Sequence, residues 1–197
     1  LSGEAAKIRW RTRFQPYRIS LYLEGADREA RNGFVEKLKE RFGEDLVRYG
    51  DKGAFKLMSE AARERGVRIA SAESCTGGLW GKLVTDLPGS SDLFWGSFVT
   101  YADDAKISVL GVRLETLETF GAVSQKTVEE MAAGARTRSG SQYAVAISGI
   151  AGPSGGTAEK PVGTVCFAVD GDTSGGRSFT FNLGTRRDLI RRRSAVA

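Results

Sequence analysis

The sequence predicts a layered α/β domain with a mixed sheet, preceded by a small α/β segment, and three observations carry that expectation. From Ala54 onward, stretches with apolar residues every three or four positions alternate with short apolar strands. The last two strands, at 162–169 and 178–183, are separated only by the turn-rich residues 170–176, which predicts a hairpin and hence antiparallel pairing in the sheet. Residues 1–53 have a different pattern, with period-two alternation followed by one helical stripe.

The elements follow in order. Residues 7–14 alternate charged and apolar side chains, residues 17–23 alternate again, and Gln15-Pro16 between them suits a turn. Asp27 caps a predicted helix with Phe34, Leu38 and Phe42 on one stripe, closed by Gly43. Residues 46–49 read as a further strand and residues 50–53 as a linker. The helix at 54–65 is amphipathic through Phe55, Met58 and Ala62, with Gly66 as its C-terminal stop. A strand at 67–72 leads into a helix predicted over 76–87, with Leu79, Leu83 and Leu87 on one stripe and Pro88-Gly89 ending it. After a strand at 94–101, Asp103 or Asp104 caps a short helix that stops at Gly111. Ser124 caps a longer helix with Val128, Met131, Ala132 and Ala135 inward, and a buried strand follows at 143–148. A final helix starts at Asp188.

Composition narrows the chemistry. The 197 residues contain no histidine, which excludes a Ser-His-Asp triad, a Cys-His dyad and any His-ligated metal. The two cysteines, Cys75 and Cys166, form neither a disulfide framework nor a paired metal knuckle, so a reducing cytoplasm is expected. No apolar run approaches the ~20 residues of a membrane span. The chain opens Leu1-Ser2, with no methionine and no signal-peptide pattern, and reads as a fragment of something longer. The formal charge of +5 is uneven: residues 1–66 and 186–197 are basic, whereas residues 67–185 carry 9 Lys/Arg against 12 Asp/Glu. The basic N-terminal segment leaves nucleic-acid contact open, although a solvated surface is the reading preferred here.

Two glycine-bearing junctions could hold a ligand. Residues 71–78, Ser-Ala-Glu-Ser-Cys-Thr-Gly-Gly, connect a strand to a helix, where unpaired backbone N–H groups and the helix dipole can stabilise an oxyanion or a phosphate. Thr76, Gly77 and Gly78 lie at that point. A second loop at 148–157 follows another buried strand, in the position where open α/β sheets bind ligands, and lacks the Gly-Lys-Ser/Thr of a Walker A loop. Without histidine a serine nucleophile needs a lysine as base. Tyr101 and Lys106 bracket a strand-to-helix turn and could reach a crevice holding Ser74. Cys75 is a rival nucleophile, read more readily as a small packed apolar residue.

Ala72-Glu73-Ser74-Cys75-Thr76-Gly77-Gly78, Phe98-Val99-Thr100-Tyr101, Gly121-Ala122-Val123-Ser124, Gly149-Ile150-Ala151-Gly152-Pro153 and Lys160-Pro161-Val162-Gly163-Thr164-Val165 occur in this order. Together they resemble the C-terminal domain of the CinA (competence/damage-inducible) family, whose single-domain form is nicotinamide-nucleotide amidohydrolase. The resemblance covers residues 54–197. Residues 1–53 resemble part of the small KH-type domain that precedes it in full-length members, and the N-terminal domain related to molybdopterin-binding proteins is expected to be missing. It implies a three-layer α/β/α fold, a homodimer, a small-molecule nucleotide substrate, and no cofactor or metal. The implied reaction is hydrolysis of nicotinamide mononucleotide to nicotinic acid mononucleotide and ammonia. Ser74 would be the nucleophile, Lys106 its base and Tyr101 a proton relay. Amides near Thr76, Gly77 and Gly78 would hold the oxyanion, and Ser148, Gly149, Ile150 and Gly152 would bind the nucleotide. An Arg-x-x-Ile/Val-Arg motif fits Arg187, Ile190 and Arg191. Three features depart from the family pattern: Ser148 often stands as threonine, one extra residue before Arg187 leaves Arg186 open as the phosphate ligand, and the last helix stops at Ala197. The alternative is a non-catalytic competence or DNA-damage-response module that binds nucleotide or nucleic acid.

Overall fold

The structure, a computed structural model, describes residues 9–15, 18–24, 28–42, 52–171 and 175–197. The chain divides into two compact units, 1–53 and 54–197. The expected Asp27 cap, the Gly43 stop, the strand at 46–49, Gly50 and Asp51 of the linker and the centre of the 170–176 turn lie outside the described residues.

In the first unit, strands β1 (Arg9–Gln15) and β2 (Arg18–Glu24) pair antiparallel, and helix α1 (Arg28–Phe42) follows. The register sets Arg11 opposite Tyr22, whose ring lies 4.9 Å below the guanidinium. On α1 it is Val35 that is buried, flanked by half-buried Phe34 and Leu38, whereas Phe42 is exposed, so the expected stripe is one turn shorter.

The second unit contains α2 (Ala54–Arg65), β3 (Ile69–Glu73), α3 (Leu79–Thr85), β4 (Phe94–Val99), α4 (Asp103–Leu110), α5 (Leu114–Phe120), α6 (Gln125–Ser139), β5 (Tyr143–Gly149), β6 (Thr164–Gly171), β7 (Arg177–Asn182) and α7 (Arg187–Ser194). The five strands form one mixed sheet in the order β4-β3-β5-β6-β7. β4 and β5 run parallel to β3, and β6 and β7 close the sheet as the expected antiparallel hairpin. Among the described residues no helix is long and apolar enough to cross a membrane.

Side-chain alternation along the strands gives the sheet two apolar faces. Ala70, Ala72, Ala144, Ala146, Cys166 and Ala168 face Val128, Met131, Ala132 and Ala135 of α6, with Leu110 and Leu117 from α4 and α5. Small strand residues let α6 lie close to the sheet, and its four inward positions are fully buried, as its periodicity predicts. The opposite face carries Ile69, Ile147, Val165 and Phe167 against Ala62 of α2, Trp80 and Val84 of α3, Ile190 of α7 and Ala195 just after it. The result is a sheet between two helical layers.

Four local expectations are revised. α3 begins at Leu79 rather than Thr76, because Gly77 and Gly78 adopt φ of 60° and 90°, outside the right-handed helical region. Its buried face is Trp80, Gly81 and Val84 rather than the leucine stripe, since the Trp80 ring packs between Phe55 and Phe94. Asp103 and Asp104 sit in the first turn of α4, where they complement the helix dipole, while Ala102 occupies the capping position. α5 was not anticipated: it has seven residues and buries only Thr116 and Leu117, too short a pattern to show helical periodicity. The Ser124 cap stands as expected, its hydroxyl accepting from the Thr127 N–H at 3.1 Å.

Candidate active site

β3 lies between β4 and β5: the chain continues to β4 on one side of it and later to β5 on the other. The C-terminal ends of these three parallel strands therefore lie side by side where the strand order reverses, the position at which open α/β sheets bind ligands. Two ladder bonds carry the pairing into the loops: the Ser74 N–H donates to Ile147 O and the Thr100 N–H to Glu73 O, both at 2.9 Å. Ser74, Tyr101 and Ser148 thus emerge from neighbouring strand ends.

α4 returns Lys106 to this edge. The lysine is 1% exposed, and its Nζ donates to Tyr101 O at 3.0 Å and to Asp103 Oδ1 at 3.1 Å. These two acceptors fix the direction of the remaining position on the tetrahedral Nζ, an N–H in the ammonium and a lone pair in the amine. Tyr101 is exposed, and its hydroxyl lies 3.5 Å from an Arg187 Nη2, while Arg187 Nη1 donates to Gly152 O at 2.7 Å. Tyr101, Lys106, Arg187 and the second glycine loop are thereby joined in one chain of contacts. Ser74 is 7% exposed, and its hydroxyl has no partner among the described residues, so it is not bonded to Lys106.

The loop after β3 is organised by a residue the sequence reading passed over. Glu73 is fully buried and accepts four hydrogen bonds: from the N–H groups of Gly78, Trp80 and Gly81 at 2.9–3.0 Å and from the Ser97 hydroxyl at 2.7 Å. A buried carboxylate needs such saturation, and here it supplies the N-terminal cap that α3 lacks from its own capping residue. An acid a few residues before a helix start was the available sequence signal. The consequence for an oxyanion is a revision. The Gly78 amide is taken by Glu73, and the Gly77 amide donates to Ser74 O at 3.1 Å. Among the described residues, the amides in this loop without an oxygen acceptor are those of Cys75 and Thr76, directly after Ser74. Gly77 does not leave its backbone open to a ligand either, because a Cβ there would lie 3.3 Å from Arg191. Arg191 clamps the loop through Cys75 O and Thr76 O, both at 3.0 Å.

Cys75 is buried against the second core, and a Cβ on Gly149 would meet its sulfur at 3.1 Å. Burial pushes the thiol up to about 11, which removes thiolate from the site at neutral pH. Ser148 is 1% exposed, and its hydroxyl donates to Ala122 O at 2.7 Å, tying β5 to the segment before α6. Ile150 uses its N–H on Thr164 O and its carbonyl on the Gly163 N–H. Gly152, at φ 74°, has no room for a side chain, since Val162 would lie 2.6 Å from a Cβ. The first part of the loop, 148–152, is thus packed, whereas 153–157 is exposed. Among the described residues, the N–H groups of the exposed Ser154, Gly155 and Gly156 have no backbone acceptor. Arg186 is exposed and pairs with Asp188 at 2.9 Å, whereas Arg187 reaches the loop. No group of three or more His, Cys, Asp or Glu residues that could hold a metal ion occurs among the described residues.

Comparison with known proteins adds a lineage to this geometry. The profile of the CinA C-terminal domain family matches residues 52–197. A CinA-like protein of Fervidobacterium nodosum is 46% identical over 162 residues, covering 82% of this chain and 40% of that protein. A CinA-like protein of Thermotoga neapolitana is 41% identical over 179 residues, covering 91% of this chain and 43% of the relative. The chain therefore spans about two-fifths of the length of these relatives. Among solved structures, a competence/damage inducible protein from Agrobacterium tumefaciens shares 40% identity at a TM-score of 0.68, over 75% of this chain and 93% of that one. A competence or damage-inducible protein from Enterobacter asburiae shares 33% at a TM-score of 0.69, over 74% and 92%.

Proposed function

This chain belongs to the CinA C-terminal domain family, and from that membership and the geometry around Ser74 we propose that it hydrolyses the carboxamide of nicotinamide mononucleotide to the carboxylate, releasing ammonia. The observation that carries the reading is a fully buried lysine held at the same sheet edge as a nearly buried serine with an unpartnered hydroxyl. A structural role has little use for that combination, because burying an amine is costly.

In this reading the Ser74 oxygen attacks the carboxamide carbon and its proton passes to the lone pair of Lys106 Nζ, which acts as the uncharged amine. The carbonyl oxygen, now negative, is met by the Cys75 and Thr76 N–H groups. The C–N bond then breaks as the nitrogen gains a proton through Tyr101, so that ammonia leaves and an ester on Ser74 remains. Water adds to that ester, the Ser74–acyl bond breaks, and the carboxylate product and free serine are restored. The phosphate lies against the N–H groups of Ser154, Gly155 and Gly156 and the guanidinium of Arg187, whose planar fork suits an anion with several oxygens. The pathway needs neither cofactor nor metal, and a homodimer is its expected assembly.

The deciding measurement is ammonia release from nicotinamide mononucleotide, with chromatographic identification of the acid product. Turnover that disappears in Ser74→Ala supports the reading. Absence of ammonia with wild-type protein overturns it.

A further inference from the structure

Three buried hydroxyls stand in a row across the C-terminal edge of the sheet. The β3–β4 and β3–β5 registers pair Glu73 with Val99 and with Ile147, and the two ladder bonds beyond them extend both pairings by one residue. Thr100, Ser74 and Ser148 are therefore lateral neighbours, on the face that carries Ala72 and Ala146. They differ in what their hydroxyls do. Ser148 donates to Ala122 O. Thr100 is 1% exposed, and its Oγ1 has no hydrogen-bond partner among the described residues. Leaving a buried hydroxyl unpaired is costly, a penalty that a bound molecule with a matching group would remove.

The substrate has such a group. A carboxamide bound at this edge buries one carbonyl oxygen and two N–H donors. The carbonyl has the Cys75 and Thr76 amides available, but the N–H donors need an acceptor. Tyr101 O and Asp103 Oδ1 each accept from Lys106, whereas the buried Thr100 Oγ1 accepts from nothing among the described residues. We propose that Thr100 is a further substrate-contacting residue, its hydroxyl accepting a hydrogen bond from the carboxamide N–H beside Ser74. The assignment rests on the reading of Ser74 as nucleophile and deepens it: the amides bind the oxygen side of the scissile group, and Thr100 binds the nitrogen side. Its residue identity follows from the geometry, because serine would keep the contact and valine, of the same shape, would not.

The experiment compares wild type, Thr100→Val and Thr100→Ser in ammonia release from nicotinamide mononucleotide, with melting temperatures measured alongside. The expected result is a loss of kcat/KM of about 10-fold or more in Thr100→Val, near wild-type turnover in Thr100→Ser, and a melting temperature of Thr100→Val at or above wild type, since an unpaired buried hydroxyl has been removed. Full activity in Thr100→Val overturns the proposal while leaving Ser74 in place. So does a joint loss of activity and melting temperature in both variants, which would make Thr100 a packing residue. If wild type releases no ammonia, the Ser74 reading falls separately. Calorimetric titration with nicotinamide mononucleotide then decides on Thr100: weaker binding by Thr100→Val upholds the contact, and equal binding or none by either protein overturns it.

Discussion

Ser74 and Arg187 are the residues on which the proposed chemistry is most exposed to test. Ser74→Ala removes one oxygen that has no partner among the described residues, so the fold loses almost nothing, while the proposed nucleophile is gone. Activity is expected to fall by at least about 1000-fold with an unchanged melting temperature, read by ammonia release and thermal denaturation. Arg187→Ala is expected to lower kcat/KM for nicotinamide mononucleotide by roughly 10- to 150-fold, the equivalent of one charge-assisted hydrogen bond, and to leave the slow turnover of nicotinamide riboside nearly unchanged. Equal losses on both substrates would show general damage through the Gly152 contact, and no loss on either would move the phosphate site away from Arg187. The same scale separates what local sequence conveys from what it hides. That Ser74, Tyr101 and Lys106 lie at strand-to-helix turns was legible from periodicity. Which of Arg186 and Arg187 faces the loop was not, because adjacent residues at a helix start diverge by about 100° around its axis, and only the placement of α7 decides between them.

At the scale of elements, the nucleophile loop is held from two sides. Glu73 ties the start of α3 to the end of β3, and Arg191 of α7 ties the loop carbonyls from the other side. Glu73→Gln replaces a carboxylate that accepts four donors by an amide with one acceptor oxygen and an NH2 that confronts backbone N–H groups. A destabilisation of about 2–4 kcal/mol is expected, measured by urea denaturation, together with loss of turnover. Glu73→Asp should recover part of the stability. If Glu73→Gln is as stable as wild type, the carboxylate does not hold the loop. Neither clamp follows from periodicity. Glu73 lies on a strand whose pattern predicts an ordinary buried position, and Arg191 is separated from Cys75 by more than a hundred residues of chain. α6 was legible for the opposite reason: fifteen residues with a capping serine and a clean apolar stripe repeat the same instruction four times.

For the whole molecule, the core of the second unit sets a pH limit through Cys75. Burial pushes its thiol up to about 11 in the folded state, against an ordinary value of 9.0. Between those values the unfolded chain releases a proton that the native protein retains, so the native state binds more protons and stability falls as pH rises. The contribution is complete below pH 9 and is lost by about pH 11, up to roughly 3 kcal/mol for a shift of this size. Wild type should therefore lose more stability than Cys75→Ala between pH 9 and 11, by chemical denaturation at each pH. Parallel curves would show that the thiol is not protected by burial. The proposed reaction also makes a global prediction about ions: EDTA should leave ammonia release unchanged, and activity restored by a divalent cation after chelation would contradict a purely Ser-Lys route.

By itself the sequence determined the alternation of helices and strands, the terminal hairpin, the inward face of α6 and the absence of histidine chemistry. All of these are written in local periodicity, turn residues and composition, which depend on neighbours a few positions away. The tertiary structure alone decided which amides remain open beside Ser74, that Glu73 consumes the others, that Gly77 is covered by Arg191, that Arg187 reaches the glycine loop, and that Thr100 is left without a partner among the described residues. Each is a statement about pairing between groups brought together by the sheet order β4-β3-β5-β6-β7. A hydrogen-bond donor or acceptor has no fixed role in sequence, because its role depends on what else the fold places within about 3 Å of it.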